Sequence, residues 1–175
     1  MRILFYTHGF FTGKRMDAEL LTLAAQLGTR LKADSKMLAV AESCTGGGIA
    51  QIITEIAGSS AWFDRGFVTY SNDSKIQMLA VKPVTIEKYG AVSEQTALEM
   101  VVGALTHSTA DYACAVTGIA GPDGGSLEKP VGTIFIARCH KQQAAEVLRK
   151  HYVGNRHQIR TQTVKTALEW LLQGI

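Results

Sequence analysis

The stretch Met37-Leu38-Ala39-Val40-Ala41-Glu42-Ser43-Cys44-Thr45-Gly46-Gly47-Gly48 decides the fold. Met37–Ala41 is an apolar run of strand length, too short for an ordinary helix. A polar turn with three glycines follows it. Ile49, Ile52, Ile53 and Ile56 then fall at helical spacing, and Gly58-Ser59-Ser60 stops that helix. A buried strand, a tight turn and a helix in succession form the building unit of α/β proteins.

The same reading extends in both directions. Upstream, Leu20, Ala24, Leu27 and Leu31 mark a helix from Asp17 to about Ala33. Downstream, Arg65–Tyr70 is β-branched and aromatic, which predicts a strand. Ser71 or Asn72 caps a helix running through Lys75 to about Leu79, and Pro83–Tyr89 is a short helix or turn. Ser93 caps a longer helix with Ala97, Val101, Ala104 and Leu105 on one face. Tyr112–Val116 predicts a central strand that runs into the glycine-rich segment Thr117–Pro130. Thr133–Arg138 and Glu146–Val153 predict an antiparallel pair of strands. Gly154-Asn155 opens the last helix, with Ile159, Thr163, Ala167, Trp170 and Leu171 facing inward. The expectation is a three-layer α/β/α sandwich with a mixed, mostly parallel sheet.

Composition narrows the classes. With 175 residues, the chain is expected to form one domain with a core that needs no disulfide or metal. A hydrophobic content of 46% and a charged content of 19% exclude a disordered chain. No apolar run reaches the length of about 18 residues that a membrane helix needs, so no membrane partner is expected. The net charge of +3 is dispersed, except for Arg149, Lys150, His151, Arg156, His157 and Arg160. A nucleic-acid binder concentrates such charge on one stripe, so no nucleic acid is expected; a small anionic ligand fits the mild excess. Three cysteines without a CxxC pattern read as a reducing, cytoplasmic compartment and no zinc cluster. No metal and no cofactor is expected, since no HExxH, His/carboxylate cluster or Asp-rich loop occurs. Residues 1–15 read as an N-terminal extension of open role, with an added strand or membrane-touching segment as alternatives, and residues 16–175 as a single domain. The extension lacks the pattern of a signal peptide.

Strand C-terminal ends are where ligands bind in such sheets, and Glu42–Gly48, Tyr70–Lys75 and Thr117–Gly125 all follow strands. Ser43 sits at a strand-to-helix turn where free backbone N–H groups favour negative charge. The amides around Thr45, Gly46 and Gly47 can hold a phosphate or an oxyanion; the same residues also read as an ordinary helix cap. Cys44 is a rival nucleophile, because a thiol at a helix N-terminus tends to a lowered pKa. No histidine lies near a strand end, so a lysine base is favoured, and Lys75 is the one in place, with Tyr70 to relay or orient. Gly118, Gly121, Gly124 and Gly125 can wrap a phosphate or ribose, Asp123 binds a ribose hydroxyl or fixes a turn, and Arg156 clamps a phosphate or lies on the surface. Trp62-Phe63 reads as core packing, with ring stacking as the alternative.

Six segments carry a resemblance: Ala41–Gly47 (AESCTGG), Gly58–Phe63 (GSSAWF), Gly66–Asn72 (GFVTYSN), Gly90–Glu94 (GAVSE), Thr117–Gly125 (TGIAGPDGG) and Lys129–Thr133 (KPVGT). In this order they resemble the CinA C-terminal family, over about residues 17–173. Gly48 and Asp73 fall where that family varies, and residues 1–15 have no counterpart. The resemblance implies a stand-alone nicotinamide-nucleotide amidase that converts nicotinamide mononucleotide to nicotinate mononucleotide and ammonia in pyridine-nucleotide recycling. It implies no molybdopterin-binding-like domain of the kind long CinA proteins carry. It also implies a homodimer, with Ser43 as nucleophile, Lys75 as base and Tyr70 assisting. Glu42, Thr117, Gly118, Gly121, Asp123 and Arg156 are expected at the substrate. A non-catalytic nucleotide-binding or partner-recruiting module, or a serine amidase for another substrate, are the other readings.

Overall fold

The computed structural model describes residues 10–175, with side chains from Ala18 onward. Strands β1 (Leu38–Glu42), β2 (Phe63–Val68), β3 (Tyr112–Gly118), β4 (Thr133–His140) and β5 (Glu146–His151) form one sheet in the order β2-β1-β3-β4-β5. β1 runs parallel to both β2 and β3, whereas β4 is antiparallel to β3 and to β5. Four strands therefore point one way and β4 alone opposes them, which is the mixed, mostly parallel sheet expected.

Six helices cover this sheet: α1 (Phe10–Ala33), α2 (Gly48–Thr54), α3 (Asn72–Leu79), α4 (Pro83–Tyr89), α5 (Glu94–Thr106) and α6 (Arg156–Gln173). Successive strand residues point to opposite faces, and two cores follow from that alternation. On one face Leu38, Val40, Cys114, Val116, Ile134 and Ile136 pack against α1, α2 and α6. On the other, Ala41, Ala113, Ala115, Phe135 and Ala137 pack against α3 and α5. The small alanines of the second face let α5 approach closely. Gly103 of α5 lies so near the end of α3 that a Cβ there would stand 2.0 Å from the Leu79 carbonyl oxygen.

The helix starts form where short polar side chains can cap them. Ser71 accepts from the Ser74 amide, Ser93 from the Thr96 amide, and Asn155 forms a capping box with Gln158. α1 begins at Phe10 rather than at Asp17. The lone Gly13 in that stretch does not stop it, since an isolated glycine costs only about 1 kcal/mol against alanine. An added strand is thus absent from residue 10 onward, and residues 1–9 of the expected extension lie outside the described residues. β2 starts two residues earlier than expected, and Trp62 before it is fully buried in the first core, so it cannot stack on a ligand. Trp170 is half-buried beneath the Arg138 guanidinium, 4.6 Å from the ring centre.

The connection from β1 to β2 passes through α2 on one face, and the connection from β2 to β3 passes through α3, α4 and α5 on the other. The chain thus diverges to opposite faces at β1, and a crevice opens beyond the C-terminal ends of β1 and β3.

Candidate active site

That crevice encloses about 230 Å³ between Ser43, Tyr70, Lys75, Thr117, Gly118 and Arg156. The segments expected to converge from sequence do so, through β1, α3, β3 and α6. Size alone does not select it. An apolar groove of about 300 Å³ between Leu79 and Val102 is larger but holds no paired nucleophile and base.

Ser43 leaves β1 with its amide donating to the Val116 carbonyl of β3 at 3.0 Å. Its hydroxyl meets Lys75 Nζ at 3.1 Å. Lys75 stands one turn into α3 and is 1% exposed. Its Nζ also donates to the Thr69 carbonyl at 2.8 Å and approaches the Tyr70 and Ser71 carbonyls at 3.4 Å each. Burial penalises the ammonium form and lowers the Lys75 pKa from its ordinary value of 10.5. A neutral amine has two N–H groups, which main-chain carbonyls here can hold, and its lone pair then faces the Ser43 hydroxyl. That is the arrangement a general base requires.

Cys44 is set against its expectation. Burial pushes its thiol up to about 12, against smaller lowering effects from its own backbone amide and the Arg160 and Lys75 charges. The helix-terminus effect that favours a thiolate loses to desolvation, so Cys44 is not a competing nucleophile at neutral pH.

Tyr70 also departs from its expected part. Its side chain is 60% exposed, and its phenol oxygen accepts from Arg156 Nη2 at 2.8 Å. Its carbonyl, not its phenol, faces Lys75. Arg156 sits at the first position of α6, donates through Nη1 to the Gly121 carbonyl at 2.9 Å, and so spans the crevice mouth. The Thr117 hydroxyl donates to the Ala91 carbonyl at 2.8 Å and fixes the wall that precedes α5.

Glu42 is likewise placed differently from its expected role at the substrate. It is 1% exposed, and its two carboxylate oxygens accept from the amides of Gly47 (3.1 Å), Ile49 (3.0 Å) and Ala50 (2.9 Å). It caps α2 from below, because Gly46 and Gly47 adopt left-handed φ values of 59° and 94° that turn the chain back over it. Asp123 is exposed and does not line the crevice. Gly121 contributes its carbonyl to Arg156 rather than an amide to a nest.

Two participants escaped the sequence reading. Arg160 donates to the Thr45 carbonyl at 2.6 Å and ties α6 to the turn that carries Ser43. Its i, i+4 spacing from Arg156 at the start of a helix was the available signal. Asn72 lines the crevice at the start of α3. Among the described residues, no group of three or more His, Cys, Asp or Glu side chains is arranged to hold a metal, and no helix is long and apolar enough to cross a membrane.

The nicotinamide-nucleotide amidohydrolase PncC of Escherichia coli K12 is 50% identical over 157 residues, covering 90% of this chain and 95% of that protein. A protein of the same name from Pseudomonas putida is 47% identical over 154 residues, covering 88% of this chain and 96% of its own. The crystal structure of the competence/damage inducible protein CihA from Agrobacterium tumefaciens matches with a TM-score of 0.87 at 50% identity, covering 89% of this chain and 94% of that one. The sequence profile of the CinA C-terminal domain matches residues 20–175, and the chain belongs to that family.

Proposed function

We propose that this chain hydrolyses the carboxamide of nicotinamide mononucleotide, releasing nicotinate mononucleotide and ammonia, with Ser43 as nucleophile and Lys75 as general base. The observation that carries the chemistry is a lysine 1% exposed whose Nζ stands 3.1 Å from a serine hydroxyl. A buried amine without a carboxylate partner is costly to fold, and activation of a serine is a role that requires it. The substrate is drawn from the likeness to the PncC amidohydrolases.

In this scheme Lys75 takes the Ser43 proton as Oγ bonds to the carboxamide carbon. The carbonyl electron pair moves onto oxygen. Collapse of that intermediate breaks the C–N bond, and Lys75 returns the proton to the leaving nitrogen, which departs as ammonia. Water then adds to the acyl-serine with Lys75 again as base, restoring the Ser43 hydroxyl and forming the carboxylate. The positive pyridinium ring makes the carbonyl more electrophilic. Arg156, at the positive end of α6, binds the phosphate. The scheme needs no cofactor. A homodimer, drawn from the family resemblance, in the reducing cytoplasmic compartment suggested by the cysteine pattern, with residues 16–175 as its catalytic unit, completes the reading.

Ammonia release from nicotinamide mononucleotide, its riboside and free nicotinamide tests the proposal. The nucleotide is expected to be the preferred substrate. Ser43→Ala is expected to abolish turnover while retaining nucleotide affinity. Undiminished ammonia release from that variant rejects Ser43 as nucleophile. Release from another amide alone means a different substrate, and no release from any amide means a binding module.

A further inference from the structure

The turn after β1 presents several backbone amides to any reacting carbonyl, and their partners differ. The Gly46 amide donates to the Ser43 carbonyl at 3.0 Å, and the Gly47 amide to Glu42 Oε2 at 3.1 Å. The Gly48 amide donates to the Thr45 carbonyl at 3.2 Å. Ser43 itself donates to Val116. Among the described residues, the amides of Cys44 and Thr45 have no backbone or carboxylate acceptor in this turn. Of those two residues only Cys44 lines the crevice; Thr45 is fully buried. The glycine amides expected at the oxyanion are thus already engaged.

We infer that the main-chain N–H of Cys44 is the turn's oxyanion donor, and that Glu42 is the positioning residue that holds it there. The inference rests on Ser43 being the nucleophile. The amide of the residue after a nucleophile is well placed, because the attacked carbon sits one bond from Oγ and its oxygen falls beside the next peptide. Glu42 directly precedes Ser43, and the three amides that its carboxylate accepts, from Gly47, Ile49 and Ala50, all follow Cys44, so the far side of the turn is tied back to the end of β1. From the other side Arg160 holds the Thr45 carbonyl. A turn held at both ends keeps the Cys44 N–H fixed before the reaction starts, which is what makes such a donor effective. This also gives the buried, unreactive thiol a meaning. Position 44 contributes its backbone, and its side chain fills space in the core beneath.

Two variants of the full chain test this. Glu42→Gln keeps the shape but replaces one acceptor oxygen by a donor, so at least one of the three amides loses its partner. A backbone ester between Ser43 and Cys44 removes the Cys44 N–H with no change of side chain, and weakens the Ser43 carbonyl as the acceptor of the Gly46 amide. The probes are nicotinamide mononucleotide turnover, binding of nicotinate mononucleotide, and binding of the nucleotide's 3-boronic acid analogue. In that analogue Ser43 Oγ bonds to boron, its proton passes to Lys75, and the adduct is tetrahedral. The ester is expected to lower kcat by about 10²–10³-fold, the worth of one such donor, with KM little changed. Glu42→Gln is expected to lower kcat by about tenfold or more, and boronate affinity by the same factor, while nicotinate mononucleotide affinity stays unchanged. A Glu42 that merely caps α2 would instead lower the melting temperature and leave both kcat and boronate affinity of the folded protein within twofold of wild type. That outcome overturns Glu42's role, and wild-type kcat in the ester overturns the donor. Should Glu42→Gln fail to fold, the ester result decides. If Ser43→Ala keeps full activity, the nucleophile reading and this inference fall together. If it is inactive while both variants are unimpaired, only this inference falls.

Discussion

Lys75 is the residue at which fold stability and the proposed chemistry respond to pH in the same sense. Its burial lowers its pKa, so between the folded-state value and 10.5 the unfolded chain binds more protons than the folded one. Stability from this group therefore rises with pH across that window and is lost as pH falls through the folded-state pKa. The neutral form that folding favours is also the form that can accept the Ser43 proton. Turnover is thus expected to rise with pH along a limb whose midpoint lies below 10.5. Lys75→Met is expected to lower kcat by about 10²–10⁴-fold, erase that limb and flatten the pH dependence of the melting temperature. A pH–rate curve of unchanged shape in Lys75→Met counts against a lysine base. Ser43 and Lys75 were legible as candidates from the chain because both follow strand-like runs. Their pairing was expected from the strand ends and from the resemblance, but the burial of Lys75 was not legible, since nothing local reports that its side chain turns inward.

At the scale of elements, the site depends on how closely helices approach the sheet. α3 carries Lys75, and its C-terminal end rests on α5 at Gly103, where a Cβ would stand 2.0 Å from a backbone oxygen. A backbone neighbour cannot swing aside as a side chain can. Gly103→Ala is expected to destabilise the fold by about 1–3 kcal/mol and to impair activity by moving α3. Chemical denaturation and kcat measured on the same preparation check both. Gly103 reads as an ordinary helix residue in sequence, because glycine inside a helical pattern carries no label for what it touches. The helix caps were different: Ser71 and Ser93 each bond an amide three residues on, and so announce themselves locally. α2 is the instructive exception. Gly47 precedes it with no side-chain cap of its own, and the cap comes from Glu42, five to eight residues earlier in the chain.

For the molecule as a whole, the sheet grades from a buried centre to open edges. Every residue of β1 is buried and so are five central residues of β3, whereas β5 is mostly exposed and Pro122–Ser126 lies open to solvent. Native-state hydrogen exchange is expected to show β1 and β3 amides opening only with global unfolding, and β5 by smaller fluctuations. Exchange of β1 as fast as β5 contradicts this order. Ser43 follows a strand buried along its whole length, so the proposed nucleophile is anchored where the fold is expected to yield last. The order and kind of elements, the capped helices and the strand–turn–helix around Ser43 were determined by the sequence. Each rests on periodicity or on hydrogen bonds between near neighbours. Only the tertiary structure decided that Lys75 is buried against Ser43, 32 residues away, that the Tyr70 phenol belongs to Arg156, 86 residues away, and that Arg160 holds Thr45 across 115 residues. It likewise decided that burial raises the Cys44 thiol pKa and which amides of the turn Glu42 and the turn's own carbonyls engage. Desolvation and hydrogen-bond occupancy are properties of the packed neighbourhood, and they come into being only when distant segments meet.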